Sequence, residues 1–203
     1  MAESIEIDTP RGPARVSLDQ PARPARCLLL LGHGAGGDVT APDLVAVRDA
    51  AVAAGAAVAL VTQPYRVAGR RTPPPAPHLD EAWAVVAAAV APRYPGVPMV
   101  FGGRSSGARV ACRAAAPLGA AGVIALAFPL HPPDRPERSR AAELPTTVPT
   151  LVVNGDRDPF GVPGAAPPVE VVVRPGERHD LRRDPPAVAA AVLAWLTRQG
   201  WLP

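Results

Sequence analysis

A pentapeptide, Gly103-Arg-Ser-Ser-Gly107, carries the clearest sign of chemistry in this sequence. It follows an apolar run and opens a helical pattern, so Ser105 is expected at a tight turn between a strand and a helix. Glycines on both sides leave room for that turn and expose the serine hydroxyl as a nucleophile. With 18 glycines among 203 residues, roughly 0.04 such motifs are expected by chance. The simpler alternative is a serine that only caps the helix.

A glycine-rich segment, Gly32-His-Gly-Ala-Gly-Gly37, follows another apolar run and permits two interpretations. The backbone N–H groups of such a loop can approach a developing oxyanion without obstruction by side chains. The same glycines also fit G-x-G-x-x-G, the fingerprint of dinucleotide-binding folds. That fingerprint requires a carboxylate after the next strand, where this sequence has Thr62-Gln-Pro-Tyr65. We therefore favour the oxyanion interpretation and keep a dinucleotide-binding oxidoreductase as an alternative.

Two more polar segments each follow a predicted strand. Asn154-Gly-Asp-Arg-Asp-Pro159 contains two aspartates, and Glu177-Arg-His-Asp180 contains His179. A serine hydroxyl is a poor nucleophile unless a histidine accepts its proton, and that imidazole needs a carboxylate to fix its tautomer. The chain order serine, aspartate, histidine is the order of the α/β-hydrolase fold. Together these segments predict nucleophilic catalysis by a serine.

The elements that must position these residues are short apolar runs separated by helical patterns. Residues 5–7 and 14–18 predict an antiparallel hairpin around Pro10-Arg-Gly-Pro13. Further strands are predicted at residues 27–31, 57–61, 98–101, 123–128, 151–153 and 169–173. A helix is predicted to begin after Thr40 as its cap, with Pro42 and Asp43 in its first turn, and to run to about Gly55. Further helices are predicted at residues 79–94, 106–118 and 184–199, the last with Asp184 as its cap.

This alternation predicts an α/β fold, with a mostly parallel, doubly wound sheet and the hairpin at one edge. The carboxyl ends of parallel strands share one edge of such a sheet, and ligands bind there. All four polar segments follow predicted strands at that edge. Their side chains are therefore expected to meet.

The chain resembles the α/β-hydrolase superfamily over nearly its full length. It is most similar to the small, lidless, dienelactone-hydrolase-like branch that includes the testis-expressed-protein and KANL-type hydrolases. The motifs that carry this likeness are Leu31-Gly-His-Gly-Ala-Gly-Gly37, Phe101-Gly-Gly-Arg-Ser-Ser-Gly-Ala-Arg109, Phe128-Pro-Leu-His-Pro-Pro133 and Asn154-Gly-Asp-Arg-Asp-Pro-Phe160. The resemblance implies one α/β-hydrolase domain over residues 1–203. Residues 129–150 are too few for a helical lid domain.

The resemblance also implies a role for each site residue. Ser105 would be the nucleophile, His179 the base and Asp158 the acid, with Asp156 as the weaker candidate. The oxyanion hole would consist of the backbone amides of Ala35 and Ser106.

Arginine dominates the expected borders of the cleft. The loops at residues 66–77 and 130–145 carry Arg66, Arg70, Arg71, Arg135, Arg138 and Arg140, and Arg104 lies within the pentapeptide. A guanidinium suits a carboxylate or a phosphate, which predicts a small or anionic acyl substrate. All 21 basic residues are arginine, however, so surface charge alone also explains them. His131 follows a predicted strand. We therefore treat Arg104 and His131 as the two hypothetical substrate contacts.

Composition limits the other function classes. The arginines are scattered without interleaved aromatic residues, which disfavours a nucleic-acid partner. No apolar run approaches the roughly 20 residues that span a bilayer, so no membrane partner is predicted. The N-terminus lacks the pattern of a signal peptide, and Cys27 and Cys112 lie in apolar runs, which favours buried thiols and a cytoplasmic location. No histidines and carboxylates have metal-ligand spacing, so we predict neither metal nor cofactor.

The sequence thus predicts a serine hydrolase that cleaves an acyl bond in a small molecule. A carboxylic ester is the simplest substrate, and a thioester is the second. A catalytically silent domain of the same fold, used for protein interaction, is the alternative from another class. The sequence does not indicate an oligomeric state.

Overall fold

A computed structural model of the chain describes residues 3–203, so the first two residues of the predicted domain lie outside it. The strands are β1 (Glu3–Ile7), β2 (Ala14–Asp19), β3 (Cys27–Gly32), β4 (Ala56–Thr62), β5 (Met99–Arg104), β6 (Gly122–Leu126), β7 (Thr150–Gly155) and β8 (Val169–Arg174). They form one sheet with the order β1-β2-β4-β3-β5-β6-β7-β8. Strands β3 to β8 are parallel, whereas β2 pairs antiparallel with both β1 and β4.

In the described part of the chain, five α-helices connect or follow the strands: α1 (Pro42–Ala54), α2 (Pro64–Val67), α3 (Ala76–Val90), α4 (Ser106–Ala115) and α5 (Pro185–Arg198). Helices α1 and α5 pack against each other, and so do α3 and α4. None of the helices within residues 3–203 is long and apolar enough to cross a membrane.

Each face of the sheet carries its own apolar core. On β3, Leu28 and Leu30 pack into the core that contains Trp83 of α3. The alternate residues Leu29 and Leu31 pack into the core that contains Trp195 of α5. Because successive side chains of a strand point to opposite faces, a strand covered on both sides must be apolar throughout. This explains the uninterrupted apolar run of β3.

The predicted doubly wound, mostly parallel sheet with an antiparallel hairpin at one edge is confirmed. The predicted absence of a lid domain is confirmed as well, since the segment between β6 and β7 contains only a short 3-10 helix, Ala141–Glu143. Asp184 caps α5 as predicted, and its side chain accepts a hydrogen bond from the Ala187 N–H at 3.1 Å.

Several local predictions were wrong. Thr40 does not cap α1, because its backbone N–H and its hydroxyl both donate to the carboxylate of Asp38 in the preceding loop. Helix α3 begins at Ala76, three residues earlier than predicted, since proline is tolerated in a first helical turn. It ends at Val90, where the 3-10 helix Ala91–Arg93 follows. The predicted loop at residues 66–77 begins inside a short helix, α2.

Both cysteines are buried and free, as predicted. Burial raises the pKa of Cys27 to about 11 and that of Cys112 to about 12. These thiols therefore stay protonated near neutral pH and are poor nucleophiles. The cytoplasmic location remains a prediction of the sequence.

Candidate active site

Ser105 lies at the sharp turn between β5 and α4. Its backbone adopts φ 52° and ψ −111°, a conformation that side-chain-bearing residues rarely take and that costs about 1–3 kcal/mol. The turn is held by the Ser105 N–H, which donates to the carbonyl of Leu126 at 2.9 Å, and by the Arg109 N–H, which donates to the carbonyl of Ser105 at 3.2 Å. Such strain is typical of a serine presented as a nucleophile.

The two glycines of the pentapeptide let this turn approach the end of β3. A Cβ atom at Gly103 would lie 2.4 Å from the carbonyl oxygen of Gly32, and one at Gly107 would lie 2.5 Å from the same oxygen. Neither contact is possible for a side-chain-bearing residue without movement of backbone. The glycine spacing therefore brings the serine turn next to the glycine-rich loop.

The side chains of Ser105, His179 and Asp158 form a hydrogen-bonded row. The imidazole Nε2 lies 2.8 Å from the serine Oγ, and Nδ1 lies 2.8 Å from Oδ2 of Asp158. Both bonds are satisfied when Nδ1 carries the proton and donates to the carboxylate, which leaves Nε2 to accept from the hydroxyl. The Asp158 side chain is fully buried, whereas that of His179 keeps 20% of its surface exposed.

A loop after β7 holds the carboxylate of Asp158. Its Oδ1 accepts a hydrogen bond from the Phe160 N–H at 2.8 Å, and the Phe160 ring lies over the imidazole with centroids 4.2 Å apart. The buried Asn154 amide donates to the carbonyls of Phe128 and Gly161 at 3.0 and 3.1 Å. No role was predicted for Asn154 from the sequence, although a polar residue at the end of an otherwise apolar strand indicated one.

Asp156, the weaker acid candidate, lies outside the row. It is exposed, and its Oδ1 accepts a hydrogen bond from the Gly176 N–H at 2.7 Å. This bond links the turns that follow β7 and β8. The structure therefore brings Asp158, and not Asp156, to the imidazole of His179.

Three side chains fix the glycine-rich loop after β3. Nδ1 of His33 lies 2.8 Å from the Gly34 carbonyl, while its Nε2 accepts from the Gln63 N–H at 3.1 Å. Burial lowers the pKa of His33, which favours the neutral ring that this pairing requires. The Tyr65 hydroxyl donates to the Ala35 carbonyl at 2.6 Å, and Arg66 Nε donates to the Gly37 carbonyl at 2.8 Å.

The backbone amides of Ala35 and Ser106 are free donors among the described residues, since neither donates to a protein acceptor there. Ser106 is the first residue of α4, where helical N–H groups have no partner within the helix and the helix dipole favours negative charge. Ala35 is anchored through its carbonyl by Tyr65. Both amides are thus available to an oxyanion.

The two hypothetical substrate contacts have polar atoms that are engaged within the protein. Nδ1 of His131 lies 2.9 Å from the Pro132 carbonyl, and its ring packs on Gly161, where a Cβ atom would lie 2.4 Å from Nε2. Arg104 donates through Nε to Asp43 at 3.0 Å and through Nη2 to the carbonyl of His179 at 2.9 Å.

The arginines of the predicted basic cleft fall into two groups. Arg66 and Arg140 are partly buried and donate to backbone carbonyls, those of Gly37 and Pro129. The others are exposed: Arg70, Arg71, Arg135 and Arg138. Internal hydrogen bonding therefore explains two of the arginines that were expected to serve substrate charge or surface charge.

A cavity of about 290 Å³ lies between the glycine-rich loop and the segment after His179. Its walls are mixed in charge and are formed by Gly37, Asp38, Thr40, Ala41, Pro42, Arg104, Asp180 and Arg182. Two of these residues, Arg104 and Asp180, adjoin Ser105 and His179 in the chain. Within residues 3–203, no group of three or more His, Cys, Asp or Glu side chains is arranged to hold a metal ion.

Comparison with known proteins gives a consistent result for the fold. A family model of the alpha/beta hydrolase domain matches residues 25–170. No curated protein matches the sequence significantly.

Similar solved structures include an α/β serine hydrolase without a lid from Xanthomonas campestris, with 21% identity and a TM-score of 0.80 over 100% of this chain and 95% of that one. Dienelactone hydrolase from Anabaena variabilis has 19% identity and a TM-score of 0.75 over 98% and 97% of the two chains. Est1E from Butyrivibrio proteoclasticus has 18% identity and a TM-score of 0.78 over 97% and 98%. At such identities the likeness concerns the fold.

Proposed function

This chain belongs to the alpha/beta hydrolase domain family, and from that premise we propose that it is a serine hydrolase of acyl bonds. The observation that carries the proposal is the row of two 2.8 Å hydrogen bonds from Ser105 through His179 to Asp158. The backbone amides of Ala35 and Ser106, which have no protein acceptor within residues 3–203, would supply the second requirement, donors for an oxyanion. Fold alone does not determine function in this family, so the argument depends on the site.

In the proposed mechanism, His179 Nε2 accepts the hydroxyl proton as the Ser105 oxygen attacks the substrate carbonyl carbon. The amides of Ala35 and Ser106 donate to the oxyanion of the tetrahedral intermediate. The imidazolium returns its proton to the departing alcohol or thiol, which leaves an acyl-enzyme.

Water completes the cycle. It loses a proton to the same imidazole and attacks the acyl carbon, and the second intermediate releases the acid and the serine hydroxyl. Throughout, the buried carboxylate of Asp158 holds the imidazole in the required tautomer and stabilises the imidazolium.

We propose a small carboxylic ester as the substrate, with a small thioester as the second choice. Among the similar structures, one is named a dienelactone hydrolase and another, Est1E, has been solved with ferulic acid bound. We also propose, from the shared motifs, that the chain groups with the testis-expressed-protein and KANL-type hydrolases. Arg104 and His131 remain hypotheses as substrate contacts, and no protein or nucleic-acid partner is proposed.

Covalent labelling tests the proposed function. A fluorophosphonate probe should modify the native protein at Ser105, because the row activates that oxygen toward a phosphorus electrophile. Heat-denatured protein should not be labelled, whereas Ser139→Ala, which removes an exposed serine hydroxyl remote in sequence from the row, should be labelled like the wild type. Peptide mapping identifies the modified residue.

The two alternative functions predict other outcomes. Native protein that resists the probe would contradict the hydrolase proposal and favour a catalytically silent interaction module. Thermal stabilisation by a nicotinamide or flavin dinucleotide, without labelling, would favour the oxidoreductase.

The cavity lined by Arg104 and Asp180, the chain neighbours of Ser105 and His179, leads to a prediction about substrate size. Its volume of about 290 Å³ and its charged lining suit a short or polar group better than a long acyl chain. For neutral esters, kcat/KM should therefore stop rising before an acyl length of about eight carbons. Matched esters that carry a carboxylate, assayed at low and high salt, separate the effect of charge from that of size. A steady rise with chain length would contradict a small polar site.

A further inference from the structure

We propose that Arg104 and Asp43 are positioning residues that hold the backbone of His179 so that its ring can bridge Asp158 and Ser105. The inference goes beyond the proposed hydrolase activity but rests on the same histidine. It gives Arg104 a role that differs from contact with the substrate.

Arg104 joins three segments that are far apart in the sequence. Its backbone ends β5 directly before Ser105, its Nε donates to the Asp43 carboxylate of α1, and its Nη2 donates to the carbonyl oxygen of His179. The side chain is only 15% exposed. One planar guanidinium therefore ties the nucleophile turn to the segment that carries the base.

Asp43 explains why the guanidinium is held in this orientation. Its side chain is completely buried in the first turn of α1, and its Oδ1 has no hydrogen-bond partner among residues 3–203. Burial raises the pKa of this carboxyl, and the charge of Arg104 opposes that rise. A buried ion pair contributes little stability compared with apolar residues, so the pair is better explained by the directional hydrogen bonds it provides.

The segment around His179 needs such an anchor. Its flanks are fixed by Glu177, whose carboxylate accepts from the N–H groups of Arg183 and Asp184 at 3.2 and 2.6 Å. Between them the chain makes a tight turn with Leu181 at φ 45°. Among the described residues, the carbonyl of His179 accepts a hydrogen bond from Arg104 and from no other group.

A shift of this backbone would act directly on the imidazole, because both ring nitrogens are already engaged at 2.8 Å. A displacement of about 1 Å at a reacting group can lower a rate by about 100-fold. Loss of the anchor should therefore lower kcat for every substrate and leave KM nearly unchanged. An arginine that binds a substrate carboxylate would instead raise KM, and only for anionic esters.

The experiment separates positioning from stability. Arg104→Met alone leaves Asp43 buried without its partner, so the main variant is Arg104→Met combined with Asp43→Asn, which removes both charges. Arg113→Met is the matched control, because Arg113 also forms a partly buried ion pair, with 20% of its side chain exposed, but contacts Asp80 and Glu143 rather than the row. For each protein we would measure Tm, the kcat and KM of a neutral and a carboxylate ester, and the low-field NMR resonance of the His179 Nδ1 proton.

For the double variant we expect a Tm near that of the wild type, a kcat about 100-fold lower with both esters, and a weakened or lost Nδ1 resonance. Arg113→Met should lower Tm while it keeps the resonance and kcat. An unchanged resonance and kcat in the double variant, or a rise in KM confined to the carboxylate ester, would overturn the proposal. The NMR resonance is measured without substrate. If this protein proved to have no hydrolase activity, the proposed function would be contradicted, but the resonance would still test the positioning role.

Discussion

Replacement of Ser105 by alanine should lower kcat for ester hydrolysis by about 10³-fold or more. The change removes the oxygen that lies 2.8 Å from His179 Nε2, and no other hydroxyl in the described part of the chain bonds to that nitrogen. Alanine has a Cβ like serine, so the backbone strain at φ 52° is nearly the same in both proteins. The fold and the Tm should therefore be retained.

Steady-state kinetics with a short-chain aryl ester, together with circular dichroism, would measure both effects. Residual activity is expected, because the oxyanion donors and the binding site remain. A variant that kept most of the wild-type rate would refute Ser105 as the nucleophile. So would a larger loss in Ser106→Ala, which keeps the backbone amide but lacks the neighbouring hydroxyl.

Asp158→Asn should lower kcat by about 10³–10⁴-fold while the site keeps its shape. Asparagine can present an N–H group to Nδ1 of His179, which favours the tautomer with the proton on Nε2. In that tautomer Nε2 cannot accept the proton of the Ser105 hydroxyl. The expected loss is thus chemical, and the Tm should change much less than kcat.

Asp156→Asn provides the matched control two residues away. An asparagine Oδ1 can still accept the bond from the Gly176 N–H that Asp156 accepts at 2.7 Å, and the exposed site tolerates the lost charge. Its kcat/KM should stay within a few-fold of the wild type, measured with the same ester. Equal losses in the two variants, or a larger one in Asp156→Asn, would move the acid role to Asp156.

The sequence alone was sufficient for the fold class and for the set of segments that meet at the site. The reason is that both depend on local patterns. A strand buried on both faces must be apolar throughout, as β3 is, and such strands alternating with helical patterns form a parallel sheet. The chain direction then places every segment that follows one of the parallel strands, including those with Ser105, Asp158 and His179, at one sheet edge.

Local boundaries were less predictable. Thr40 has the side chain of a good helix cap, but the neighbouring Asp38 carboxylate competes for its hydroxyl and its N–H group. The start of α3 depended on whether Pro77 lay before the helix or in its first turn, and proline fits both positions. In each case two local arrangements were compatible with the same residues.

Only the tertiary structure decided which polar side chains serve the site from a distance. Arg104 reaches Asp43 and His179, which lie 61 and 75 positions away in the chain, and Tyr65 reaches Ala35 across 30 positions. A guanidinium is equally suited to solvent, to a substrate anion or to a buried carboxylate, so its residue type does not determine its partner. That partner depends on which segments the packed sheet brings within about 3 Å of its donors, and this distance is not encoded in any local pattern.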